Sequence, residues 1–215
     1  PTPLAPIQLY VESKHRRLVE PVYEAALLKE LAAIIAEIPA AELCVQWDTA
    51  VEFGVLEGVF PSYLDKPFED IVQRLVRLGE SVPSGVELGY HLCYGDSGHK
   101  HFVEPADMGL LVAVANRVAD ELSREINWIH MPVPRERDDT AYYEPLKDLQ
   151  LSPVTEIFLG LIHATDGASG AARRIEAAQN FLTGFGVATE CGLGRRHPES
   201  IPSLLALHAQ VADRL

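Results

Sequence analysis

Cysteine is scarce in this chain, with three residues in 215, at positions 44, 93 and 191. An odd count at such wide spacing is no disulfide framework and points to a reducing, cytoplasmic setting. Basic residues are also few: 18 Lys and Arg face 31 Asp and Glu, a formal net charge of −13. With no basic patch to outweigh that balance, nucleic acid and anionic membrane surfaces are excluded as partners. The pairs Arg16-Arg17, Arg173-Arg174 and Arg195-Arg196 each sit among acidic or apolar neighbours. The sequence also lacks the run of about eighteen apolar residues that a membrane span needs, and no signal-peptide pattern opens it.

What is present is apolar bulk, 47% of residues, enough for a sizeable core in a single domain over 1–215. The opening Pro1-Thr2-Pro3-Leu4-Ala5-Pro6 suits a loop that follows a strand. Apolar residues at helical spacing predict a helix from about Pro21 to Ile38, ended by Pro39. Further helices are expected from Pro67 to Leu78, from Pro105 through Val118, from Gly170 to Leu182 and from Ile201 to Leu215. Between them lie apolar runs that read as strands: Glu42–Asp48, Val86–Cys93, Ile126–His130, Ile157–His163 and Phe185–Cys191. Cys44 reads as core packing, and Tyr142-Tyr143 with the charged Arg135–Asp139 stretch as a mobile loop.

Strand then helix, five times over, means parallel strands with crossover helices. Each strand ends in a polar residue: Asp48, Cys93, His130, His163 and Cys191. In α/β folds function collects at the carboxyl ends of parallel strands, and in a (β/α)8 barrel those ends converge on one axis. Five strands fall short of eight, so the expectation is the C-terminal part of a TIM barrel with the N-terminal strands missing. The free edges would be covered by a missing N-terminal segment or by homo-oligomerisation.

His91 and Cys93 are the sharpest pair. Two apart in a strand, they project to one face, an imidazole beside a thiol, both good zinc ligands; the same spacing is also ordinary core filler. Asp96 and His99 follow in a Gly-Asp turn, with His101 just beyond.

His91-Leu92-Cys93-Tyr94 resembles the His-X-Cys-Tyr segment of cobalamin-independent methionine synthases. Gly160-Leu161-Ile162-His163 is similar to their penultimate strand, and Glu190-Cys191-Gly192-Leu193 to their Asp-Cys-Gly-Leu motif. The resemblance, which extends to the methionine-synthase and uroporphyrinogen-decarboxylase barrels, runs from about Leu43 to Arg196. It implies a zinc site of His91, Cys93 and Cys191, with His130 standing where the family has a glutamate. It implies His163 as a proton donor and Asp48 as the carboxylate that holds the amino group of a thiol substrate. Asp96 and Arg195 are candidates for substrate binding at the mouth. The implied activity is methyl or alkyl transfer from a small donor to a small thiol made nucleophilic by zinc. Two alternatives stay open: a metal-dependent hydrolase or lyase that activates water at the same site, with His163 and Asp48 as acid and base, and a non-catalytic fragment whose zinc only ties strands together.

Overall fold

The computed structural model describes residues 1–213 and 215. In chain order the elements are α1 (Leu4–Tyr10), α2 (Arg16–Glu37), β1 (Cys44–Thr49), α3 (Val51–Leu56), α4 (Pro67–Glu80), β2 (Glu87–Leu92), α5 (Gly109–Glu121), β3 (Trp128–Pro132), α6 (Thr140–Tyr143), β4 (Glu156–Ile162), α7 (Gly167–Gln179), β5 (Gly186–Thr189) and α8 (Ile201–Ala212). The strands form one parallel sheet in the order β1-β2-β3-β4-β5. Strand order identical to chain order, with right-handed crossovers, puts the helices on one face and leaves the other as an inner wall. This is an open arc of an α/β barrel, with β1 and β5 as its edges.

The helix-facing side is apolar and buried, as alternation in the strands requires. Trp47, Tyr90, Ile129, Leu159 and Leu161 pack there against Leu75, Leu78, Leu111 and Ala171. The larger polar rings are satisfied: Trp47 Nε1 donates to Leu78 O at 3.2 Å and Tyr90 OH to Leu75 O at 2.9 Å. Each such side chain contributes about 1.5–3 kcal/mol by burial.

The inner face is a set of in-register rows. Asp48 aligns with His91, His91 with His130, His130 with Phe158 and Phe158 with Gly186. One step toward the strands' amino ends, Gln46 aligns with Gly89 and Gly89 with Trp128. Gly89 is required there, since a Cβ would lie 1.9 Å from the Trp128 ring.

Several sequence expectations are corrected. The Pro1–Pro6 stretch is not a loop throughout, because α1 begins at Leu4 with Pro3 in helical conformation. Prolines fit a first turn, whose N–H groups have no intrahelical acceptor. The fifth helix begins at Gly109 rather than Pro105, and β5 is only four residues long. The closing helix ends at Ala212, and Arg214 lies outside the described residues. Cys44 is exposed rather than packed, because it shares the open inner face with Gln46 and Asp48. Tyr142 and Tyr143 are fully buried, with Arg137 stacked 4.5 Å over the Tyr142 ring, so that segment is anchored rather than a mobile loop. No described helix is long and apolar enough to cross a membrane.

Candidate metal centre

The end of β5 makes the site. Between the pairs Leu159–Val187 and Ile162–Thr189, β4 advances three residues while β5 advances two, a bulge that re-aims the shorter strand. The chain beyond Thr189 then passes over Gly160: a Cβ there would stand 2.7 Å from Glu190 Cα and 3.1 Å from Pro132 Cα. That crossing carries Glu190 and Cys191 over the inner face to β2. These contacts are with backbone, which cannot rotate away. Gly160→Ala is therefore expected to lower stability by about 1–3 kcal/mol in urea unfolding and to weaken metal binding at Cys191 in the same protein.

His91, Cys93 and Cys191 come together, with one ligand atom from each lying within 4.8 Å of the others. The two sulfurs are 3.9 Å apart, and Gly95 N–H donates to Cys93 Sγ at 3.2 Å. Cys93 is the donor to Cys191 in this pair. The hydrogen bond donated by Cys93 holds the Cys191 thiol down at about 6, while the same bond and burial push Cys93 far up.

His91 is only 5% exposed. Its Nδ1 is 3.3 Å from Asp48 Oδ1, its Nε2 is 3.3 Å from the Glu190 carbonyl, and its ring stacks on His130 at 4.3 Å between centroids. Burial opposes a charge on His91, but the Asp48 hydrogen bond and the Cys191 charge outweigh it and raise its pKa above the ordinary value. His130 stands beside this group rather than in it. Its Nε2 is 2.9 Å from Thr189 O, and since a carbonyl only accepts, that nitrogen carries the hydrogen. Burial and the His91 charge push the His130 pKa down to about 3.

A cavity of about 310 Å3 opens beside the group, lined by Gln46, Asp48, His91, His130, Thr189, Cys191 and Arg195 among others. At its rim the Arg195 guanidinium lies 3.7 Å from the buried Asp96 carboxylate, which His99 Nδ1 approaches to 3.6 Å. Asp96 thus braces Arg195 rather than facing the cavity itself.

His163 lies deeper. Its Nε2 is 2.9 Å from Val133 O, so the hydrogen sits on that nitrogen, and Nδ1 faces Glu190 Oε2 at 3.8 Å. Burial first, and then the Arg174 charge, push its pKa down to about 4. Glu190 also lies 3.5 Å from His101 Nε2, which has no hydrogen-bond partner among the described residues; burial raises the Glu190 pKa. Sequence reasoning passed over Glu190, whose position next to Cys191 was the available signal, and over Arg174, which had none.

The fold and site define a partial α/β barrel with a Cys2His ligand group at the carboxyl ends of its strands. No family model and no curated protein matches the chain. Among solved structures it is similar to a protein provisionally named a vitamin-B12 independent methionine synthase, from Listeria monocytogenes, with a TM-score of 0.58 and 15% identity. The match covers 98% of this chain and 62% of that one, so the chain spans less than two thirds of that protein. At this identity the likeness establishes the fold, a portion of a methionine-synthase-like barrel.

Proposed function

We propose that His91, Cys93 and Cys191 hold one zinc ion and that the chain serves methyl or alkyl transfer to a small thiol. The carrying observation is the ligand spacing. Two sulfurs on one tetrahedral zinc, with Zn–S bonds of about 2.3 Å, stand roughly 3.8 Å apart, and these stand 3.9 Å apart. When bound, zinc supplies a lowered thiol pKa, so that a thiolate is available at neutral pH.

The chain's own residues do the rest. Three protein ligands leave a fourth position open, the arrangement of catalytic rather than structural sites, and the cavity borders two of the three ligands. His130, turned to Thr189 O, serves as a wall of that cavity. Arg195, braced by Asp96, offers a cation for an acidic group on the substrate. Glu190 lies between His163 and the ligand-bearing turn, where it can pass a proton to or from His163 Nδ1. The open edges of β1 and β5 leave room for further strands or a second copy, and reduced thiols fit a cytoplasmic setting.

Cobalt(II) substitution tests the reading. Adding a small aminothiol to the cobalt-loaded chain is expected to strengthen the sulfur-to-metal charge-transfer band, and serine in place of the thiol is expected to leave it unchanged. An unchanged spectrum with saturating thiol would remove thiol binding and leave water activation as the chemistry to pursue.

A further inference from the structure

The hydrogen bonds leading to His91 run in one chemically forced direction. Trp128 Nε1 lies 3.0 Å from Gln46 Oε1, and an indole N–H can only donate. That fixes the Gln46 amide, whose NH2 donates to Asp48 Oδ1 at 2.9 Å. The same carboxylate oxygen faces His91 Nδ1 at 3.3 Å. A carboxylate whose oxygen already accepts from an amide holds the next partner as a donor as well. His91 Nδ1 is thus held as a donor. Nε2 also faces an acceptor, the Glu190 carbonyl at 3.3 Å beside Cys191, and is the nitrogen that would give up its hydrogen to a metal, while stacking on His130 fixes the plane of the ring.

We propose that Trp128, Gln46 and Asp48 form a positioning array that sets the His91 tautomer and presents Nε2 as the metal-binding nitrogen. The inference rests on the zinc reading above and gives Asp48 a role exerted through His91. Three observations carry it independently of any ligand: the register that aligns Asp48 with His91, the glycine at position 89 that lets the Trp128 ring lie across the sheet to Gln46, and the donor-only chemistry of the indole. A histidine ligand whose other nitrogen donates to a carboxylate is oriented and made more basic, and loss of such a partner typically lowers metal affinity 10–100-fold.

The test measures zinc affinity by chelator competition on the whole chain, with the His91 tautomer read from long-range 1H–15N correlations of the zinc-loaded protein. Wild type is expected to show hydrogen on Nδ1. Asp48→Ala is expected to lose about 10–100-fold in affinity. Trp128→Phe, which keeps an aromatic ring in place, is expected to lose less and to show a mixed tautomer signal. Two results overturn the array: zinc found on Nδ1 in wild type, or both variants folded and binding within twofold of a wild type that itself binds zinc. The latter would leave Asp48 facing substrate alone. A wild type that binds no zinc would instead bring down the underlying reading and the array with it.

Discussion

Protein purified without chelator is expected to carry about one zinc per chain, lost in both Cys93→Ser and Cys191→Ser and retained in Cys44→Ser. The contrast follows from position. Cys44 is exposed, while Cys93 donates a hydrogen bond to Cys191 across 3.9 Å. Loss of a thiolate ligand removes a metal bond, so the fall in affinity should exceed the 10–100-fold cost of losing an outer partner. Binding must release the Cys93 proton, which makes affinity rise with pH through neutrality. Because the three residues join β2 to the chain beyond β5, bound zinc would also clamp the two sides of the arc. At free zinc 100-fold above the dissociation constant, chelation would lower stability by about 2.7 kcal/mol. Elemental analysis and urea unfolding with and without chelator check both statements. Absence of zinc from wild type would leave the barrel portion intact and remove the transfer chemistry.

Asp166→Ala is expected to cost about 3–5 kcal/mol in unfolding free energy. Arg174 has no exposure to solvent. Its guanidinium donates to Leu161 O at 2.9 Å, Arg135 O at 2.7 Å and both Asp166 oxygens at 2.6 and 2.9 Å. One side chain thereby ties the end of β4, the loop after β3 and the start of α7. Asp166 gives up the cap of α7 for this pairing, and Gly170 makes room, since a Cβ there would lie 1.9 Å from the carboxylate. Removing Asp166 leaves a buried cation with one nitrogen unpartnered. The double variant Asp166→Ala/Arg174→Met is expected to recover part of the loss, because the isolated buried charge is the main cost. Additive losses in the double variant would show that the pair contributes no coupling.

The order of elements was legible in the sequence because the two periodicities, 3.6 and 2, are local properties of the chain. The i, i+2 spacing of His91 and Cys93 and the polar residue closing each strand sufficed to expect convergence at one end of a parallel sheet. The dipeptide Asp166-Gly167 carries a turn signal in its own composition, and Gly167 adopts φ +58°, a conformation natural to glycine. Those inferences needed no knowledge of distant neighbours.

Other features were settled only by the tertiary structure. Whether Cys191 would reach Cys93, 98 positions away, depends on a one-residue bulge opposite β5 and on the bare backbone at Gly160. His130, equal to any histidine by composition, became a stacking partner because Thr189 O lies within reach of its ring. Arg174, one of a pair set among acidic or apolar neighbours, is buried because two backbone carbonyls and one carboxylate surround it. In each case the chemistry belongs to the side chain, but its use is set by packing between residues far apart in sequence, and periodicity carries no record of that.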